Sequence, residues 1–351
     1  MLIIHTSDLH LDSKMESNLK ANKAKERKNE LLEAFARMVN LANRYLVKVI
    51  LIAGDMFDKS RVNLKTKGFI FDLIKTNPHI DFLYLSGNHD ESNFISSFDS
   101  LPNLKVFNDN WTSFKYDDVV ISGIVLNESS KNHYFNTLDL DKSKFNIVTM
   151  HGQIGFYKND EINLTSLKDK GIDYLALGHI HEYSLEKLDS RGVYCYSGCL
   201  EGRGFDELGI KGFSLIDTKT KEYKFIPNSK RVFHEVNVDI SMCNVWYEIN
   251  KLVLDKVKDI PEEDFVKVIL KGTYELSLIK QVDILANKLN SKFYFAKVYD
   301  ETSLKINLKD FEHEISLKGE FIRTVLESDL SDALKKRVIE QGIASLRRED
   351  D

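Results

Sequence analysis

Five apolar stretches of this chain each end in Asp, Asn or His, and such residues at strand ends are the raw material of a metal centre. IHTSDLH closes on Asp8 and His10, VILIAGD on Asp55, and LYLSGNHD on Asn88, His89 and Asp90. NIVTMH closes on His151, and YLALGHIH on His179 and His181. Oxygen donors mixed with imidazole nitrogens, without thiolates, suit Mn(II), Fe(II) or Zn(II) better than calcium. Asp8, His10, Asp55, Asn88, His151, His179 and His181 are more donors than one small ion takes. They fit two ions if a carboxylate bridges. Two ions roughly 3.5–4 Å apart are a standard device for hydrolysing phosphate esters, since together they activate a water and offset phosphoryl charge. Such chemistry needs no nucleophilic side chain.

Singly, the pieces have ordinary explanations. Asp-x-His pairs are common by chance, and Gly54-Asp55 and Gly87-Asn88 are good turn dipeptides in their own right. His151-Gly152 reads equally as a satisfied histidine beside a turn. Gly178-His179-Ile180-His181 is harder to dismiss, because alternate strand positions share a face. Taken together, in order and all at the ends of apolar runs, the five point to one site.

The elements that must position these residues follow from the patterns. Val49-Ile50-Leu51-Ile52 is a branched run without alternation, the mark of a strand buried on both faces, and it stops at a carboxylate. In open α/β sheets ligands collect beyond the carboxyl ends of strands, so Asp55 faces a site. Residues 2–7, the run at 49–52, a stretch ending at 86, and residues 146–149 and 174–177 read as strands. Helical spacing appears in Leu31, Phe35, Met38 and Val39, in residues 65–75, and near 164–170. Short strands follow at 184–188, 193–197, 213–217 and 222–226. Alternating βα units followed by antiparallel strands predict an α/β fold of two packed sheets with helices outside.

After Pro227-Asn228-Ser229-Lys230 a second α/β pattern begins, with strands at 231–238, 265–271 and 292–299 and helices at 245–256 and 276–289. Residues 319–348 read as a helical pair whose apolar face holds Phe321, Ile322, Val325, Leu326, Leu334, Val338 and Ile339. The chain thus reads as three segments, 1–230, 231–318 and 319–351.

A chain of 351 residues with 42% hydrophobic and 29% charged residues is ordinary for a soluble globular protein with a large and a smaller domain. No apolar run approaches the roughly 18–20 residues of a membrane span, and the four residues before His5 are too few for a signal peptide. Cys195, Cys199 and Cys243 form neither an even disulfide framework nor a zinc spacing. They read as reduced thiols, so the expectation is a cytoplasmic protein with no membrane partner. A net charge of −5 gives no bulk attraction to nucleic acid, and any such role rests on local patches.

The set Asp8-x-His10, Gly54-Asp55-x-x-Asp58, Gly87-Asn88-His89-Asp90, His151-Gly152 and Gly178-His179-x-His181 resembles the calcineurin-like metallophosphoesterase superfamily. The flanks IHTSDLHLDS (4–13), LIAGDMFD (51–58) and YSGCLEGRGFDELGIKGF (196–213) resemble the SbcD-type DNA repair exonucleases, the bacterial nuclease subunits of double-strand-break repair. The resemblance implies a two-sheet metallophosphoesterase sandwich flanked by helices, with 231–318 as a smaller C-terminal α/β capping domain. It implies two divalent ions of manganese, Mn(II). One would be held by Asp8, His10, Asp55 and His181, the other by Asp55, Asn88, His151 and His179, with Asp55 bridging. His89 would be the catalytic histidine, giving a proton to the leaving oxygen or to a phosphate oxygen, with Asp90 orienting it. Where eukaryotic and archaeal relatives carry a second histidine, this chain has Asp58, as bacterial members do, so no second histidine positions the substrate.

The resemblance further implies a DNA nuclease, a 3′→5′ exonuclease and also a single-strand endonuclease, working with an SbcC-type coiled-coil ATPase; it also allows a homodimer. Residues 14–28 carry six basic residues against Glu16 and Glu26. Lys14, Lys20 and Lys23 either meet DNA phosphates or belong to a solvated helix start. Arg203 is a further phosphate candidate, or part of a structural turn. The C-terminal helical face either seats the ATPase or closes the small domain. Two other functions stay open. A phosphodiesterase or phosphatase for small nucleotides or a phosphoprotein would need only a closed pocket, whereas a cap over a groove fits a polymer. A non-catalytic scaffold would have lost ligands, and here the donor set is complete.

Overall fold

The structure is a computed structural model of the chain and describes residues 1–348 apart from 14, 16–18, 59–61, 88–100, 128–133, 156–160, 276 and 306–314. It divides into two compact units, Met1–Phe233 and His234–Asp351.

In the first unit the elements run β1 (Leu2–Thr6), α1 (Ala21–Arg44), β2 (Val49–Ala53), α2 (Leu64–Lys75), β3 (Asp81–Leu85), β4 (Leu104–Val106), β5 (Thr112–Tyr116) and β6 (Val119–Gly123). They continue through β7 (Phe145–His151), β8 (Gln153–Ile154), β9 (Glu161–Ile162), α3 (Leu164–Leu167), β10 (Tyr174–Gly178), β11 (Ser184–Lys187), β12 (Val193–Tyr196), β13 (Gly212–Asp217) and β14 (Glu222–Pro227). One sheet has the order β14-β13-β1-β2-β3-β4 and the other β11-β12-β10-β7-β6-β5. Each is parallel at its centre and antiparallel at an edge.

The strand alternation explains the layering. Ile3, Val49, Leu51, Leu83 and Leu85 of the first sheet share a buried core with Ile121, Ile147, Tyr174 and Ala176 of the second. Their neighbours Ile4, Ile50, Ile52 and Phe82 point the other way, onto Leu31, Phe35, Met38 and Val39 of α1 and Ile70 and Ile74 of α2. Val148, Met150, Leu175 and Leu177 form a third core on the outer face of the second sheet. Two strands buried on both faces must be apolar at every position, which is why VILI shows no alternation. The protein is a two-sheet sandwich flanked by helices.

In the second unit β15 (Phe233–Asp239), α4 (Trp246–Lys256), β16 (Phe265–Lys271), β17 (Thr273–Tyr274), α5 (Val282–Lys292), β18 (Phe295–Asp300) and β19 (Ser303–Leu304) precede α6 (Leu317–Glu327) and α7 (Asp332–Arg348). The sheet order is β15-β16-β18, and α4 and α5 bury Ile249, Val253, Leu285 and Leu289 against Val266, Val268 and Leu270. The helix expected from residue 276 starts only at Val282. Leu278, which extends the apolar spacing toward the N-terminus, is a buried loop anchor instead. Likewise α3 is a single turn rather than a helix to residue 170, with the Asn163 side chain capping its N-terminus. The apolar faces of α6 and α7 meet each other and Leu304 of β19 in a small cluster of Ile322, Val325 and Ile339. No helix among the described residues is long and apolar enough to cross a membrane.

Candidate metal centre

The carboxyl ends of β1, β2, β7 and β10 meet at one edge of the sandwich. Beyond β1 and β2 the parallel pairing continues irregularly: Asp8 N–H donates to Gly54 O (3.1 Å), His10 N–H to Asp55 O (3.0 Å) and Leu11 N–H to Met56 O (2.9 Å). This lays Asp8-Leu9-His10 alongside Gly54-Asp55. Within the second sheet Gly178 pairs with His151, so its two tips end level. The sheets then come into contact through glycine. A Cβ on Gly178 would stand 1.9 Å from Ala53 O, and one on Gly54, whose φ is +94°, would stand 2.0 Å from His151 Nδ1. The close approach lets His151 Nδ1 donate across the sheets to Ala53 O at 2.9 Å.

Backbone strain gathers here. Asp8 (φ 52°), His10 (φ 43°), Asp55 (φ 51°) and His179 (φ 102°) all have positive φ. Each such residue costs of order 1–3 kcal/mol and persists only where the surroundings over-determine it, typically at functional sites. The bends turn the side chains inward. His10 Nε2 and His181 Nε2 stand 3.2 Å apart, and His181 Nε2 lies 3.6 Å from Asp8 Oδ1. Asp55 Oδ2 lies 3.8 Å from His10 Nε2 and 3.4 Å from His151 Nε2, between two histidines of opposite sheets. The His179 N–H donates to both Asp8 carboxylate oxygens at 3.0 Å, and the His151 and His179 rings stand edge to face. Two sets of potential ligand atoms result, Asp8 with His10 and His181, and Asp8 with Asp55 and His151.

Three of these imidazoles are held from behind. His151 Nδ1 is on Ala53 O, His10 Nδ1 lies 3.2 Å from Asp58 Oδ1, and His181 Nδ1 lies 2.7 Å from Glu207 Oε1. The acceptors hydrogen-bonded to His151 and His181 favour the proton on Nδ1 and leave Nε2 toward a metal, the usual arrangement around ligating histidines, while Asp58 stands within ion-pair distance of His10 Nδ1. The Nε2 atoms of His10 and His181, 3.2 Å apart, can share either a proton in a hydrogen bond or one metal ion as common ligands. The separation matches neighbouring ligands each about 2.1 Å from one ion. Electrostatics agree with this. Burial works against charge on His151, but the hydrogen bond and charge of Asp55, with Asp8 nearby, raise its pKa to about 9. Burial and the charge on His151 push His179 down. The carboxylates thus attract a cation that a proton partly replaces. The residues present fit divalent metal ions.

Asn88, His89 and Asp90 lie outside the described residues, as does Lys14. Lys20 is exposed at the N-terminus of α1 and Lys23 is half-buried on its first turn. Arg27, from the same basic segment, is buried against Glu30 and Glu201. Arg203 forks onto Glu207 Oε1 (2.8 and 3.0 Å) and lies 3.5 Å from Asp58 Oδ1. Asp58 entered the sequence reading only as part of the Gly-Asp motif and Glu207 had no part in it, yet both stand behind candidate ligand histidines. Glu207 follows His181 by 26 positions with no local signal, and only the flanking stretch 196–213 drew attention to its neighbourhood.

A two-sheet sandwich that gathers aspartates and histidines at the carboxyl ends of its inner strands defines a metal-dependent hydrolase. The model of the family described as calcineurin-like phosphoesterase matches residues 1–183, and the chain belongs to that family. Family membership makes it a hydrolase of phosphoester bonds. It is similar to the uncharacterized metallophosphoesterase YhaO of Bacillus subtilis, 24% identical over 95% of this chain and 89% of that protein. It is also similar to the DNA double-strand break repair protein Mre11 of Nanoarchaeum equitans, 26% identical over 93% of this chain and 92% of the relative. The Mre11 of Haloferax volcanii is 24% identical over 98% of this chain and 75% of its own length.

Proposed function

We propose that the protein is a metal-dependent DNA nuclease that hydrolyses phosphodiester bonds in DNA repair, as a 3′→5′ exonuclease and a single-strand endonuclease. The observation that carries the reading is similarity to Mre11 proteins along both units, 93% of this chain in one case, and not along the metal-binding unit alone. The proposed partners are DNA and a coiled-coil ATPase of the SbcC type. In this reading 231–318 cap a groove that takes a polymer.

One metal, proposed to be Mn(II), is assigned to Asp8, His10, Asp55 and His181, and another to Asp55, Asn88, His151 and His179. A divalent pair bound there supplies Lewis acidity toward phosphoryl oxygens and ionises water near neutral pH. The chain's own contribution is placement. Asp55 Oδ2, between His10 and His151, suits a bridging carboxylate. His179 lines both a groove of about 440 Å³, with Ile180, His181, Phe205 and Leu208, and a smaller hollow, with Ser86, His151 and Gly152. His89 is assigned the proton transfer to the leaving oxygen and Asp90 the orientation of its ring.

Chelator-treated protein should be inactive on linear DNA and recover with Mn(II). His89→Ala should keep its metals and lose roughly 10²–10⁴-fold in turnover. Hydrolysis of a chromogenic phosphodiester without any cleavage of DNA would move the protein to the small-substrate phosphodiesterases. Full activity in excess chelator would sink the metal-dependent reading.

A further inference from the structure

We infer that Asp58, Arg203 and Glu207 form one positioning unit that holds His10 and His181 with both Nε2 atoms turned toward the same metal, and that Arg203 acts on these carboxylates and not on phosphate. The inference rests on the two-metal reading above.

Each of the two histidines has one carboxylate behind it, Asp58 Oδ1 for His10 at 3.2 Å and Glu207 Oε1 for His181 at 2.7 Å. The carboxylates come from opposite ends of the unit's sequence, and Arg203 joins them. Its Nε and one terminal nitrogen donate to Glu207 Oε1, while the other terminal nitrogen lies 3.5 Å from Asp58 Oδ1. A planar fork with fixed spacing does this where a lysine ammonium could not. Neither carboxylate is left to find its own rotamer. Ser13 Oγ donates to Asp58 Oδ2 at 3.0 Å, and the Arg203 N–H donates to Glu207 Oε2 at 2.7 Å. Burial opposes charge on Glu207, yet His181 and Arg203 hold its pKa well below the carboxylate range.

The loop that carries the unit is clamped at both ends. Glu201, 1% exposed, accepts from both terminal nitrogens of Arg27 on α1 at 3.1 Å and from the backbone N–H groups of Lys230 and Arg231. At the far end Lys211, 5% exposed, donates its ammonium to the His181 carbonyl at 3.0 Å. Arg203 is therefore presented to the back of the histidines by a rigid frame. Its side chain is only 19% exposed, with its donors directed at the two carboxylates and at His181 Nδ1, 3.2 Å away. A phosphate contact needs those donors turned to solvent. His151, assigned to the other metal, has the Ala53 carbonyl at its Nδ1 in place of a carboxylate of this unit. Loss of the unit should therefore weaken one ion and spare the other.

The test is a calorimetric titration of metal-free protein with Mn(II) alone, with electron paramagnetic resonance following the coupled Mn(II) pair. The unaltered protein should bind two ions. Arg203→Met and Glu207→Gln should each weaken one ion by about 10–100-fold and leave the other, so that the coupled signal is lost at Mn(II) concentrations that saturate the unaltered protein. Asp58→Asn, at the more exposed edge of the unit, should do the same with an unchanged melting midpoint for the metal-free chain. It keeps the test open if the buried variants do not fold. Two ions bound at unaltered affinity by folded Asp58→Asn and Glu207→Gln would overturn the positioning unit while leaving the two-metal reading intact. So would an Arg203→Met protein that binds Mn(II) normally and shows only a raised KM for DNA, since that marks a phosphate contact. An unaltered protein that fails to bind two Mn(II) overturns both readings, and the first titration shows it.

Discussion

His5 lies wholly buried between the two sheets, three residues before Asp8, with its Nδ1 3.0 Å from the Tyr174 hydroxyl. Burial lowers its pKa from 6.5 to about 3. Below pH 6.5 the unfolded chain therefore takes up a proton at this residue and the folded chain does not until about pH 3. The stability associated with neutral His5 is present in full above pH 6.5 and is lost progressively as the pH falls toward 3. Between pH 6.5 and pH 5 the loss is about 2 kcal/mol, at 1.36 kcal/mol per pH unit. Chemical denaturation of metal-free His5→Gln protein should show a shallower decline over that window. The raised groups, such as His151, are common to both proteins and cancel in the comparison. An equal slope in the two would show that His5 does not titrate with folding. In sequence, His5 is merely a polar residue in an apolar strand, and its burial against a tyrosine of the other sheet has no local sign.

The C-terminal helices α6 and α7 belong to the second unit, where their apolar faces enclose Ile322, Val325 and Ile339 over Leu304. The Leu304 N–H also donates to Glu340 of α7 at 3.0 Å. Burying a side chain of this size stabilises by roughly 1.5–3 kcal/mol, so four of them amount to several kcal/mol. A chain ending at Ile315 should therefore melt about 10 °C or more lower in its second unit, measured by calorimetry beside the intact protein. An unchanged midpoint would reject that packing role and leave the helices free to seat a partner. The amphipathic spacing of this segment is legible in sequence, because i, i+3 and i+4 positions carry its apolar residues. What covers the face is not, since a helix records only that it has an apolar side.

At the scale of the whole molecule, the candidate metal-ligand clusters among the described residues stand in the first unit. Binding to the folded state alone stabilises by about 2.7 kcal/mol per site at 100 times Kd. Two sites on a unit of 233 residues should raise its melting temperature by roughly 10–20 °C on adding saturating Mn(II). The second unit's transition should stay in place. Scanning calorimetry with and without chelator reads both. A metal-induced shift confined to the second unit would contradict the site assigned here. With a net charge of −5, bulk attraction contributes nothing to the proposed DNA binding, which should rest on local basic patches and weaken as salt rises.

The sequence by itself determined the sandwich and the gathering of ligands at its edge. Strands buried on both faces are largely apolar, and a carboxylate or imidazole that interrupts such a run generally stands at its end, with His5, buried within β1, the exception. That constraint is local, which is why Asp8, His10, Asp55, His151, His179 and His181 are all legible without coordinates. Tertiary structure alone decided what stands behind them. Asp58 and Glu207 reach their histidines across 48 and 26 positions of chain, and Arg203 spans 145 positions to reach Asp58. Contacts at such separations depend on how loops close over the sheet edge. No residue spacing encodes that closure, because it follows from buried anchors such as Glu201 on Arg27 that lie in different elements. An arginine in a glycine-rich loop reads the same in sequence whether it faces phosphate or a buried carboxylate; only packing tells the two apart.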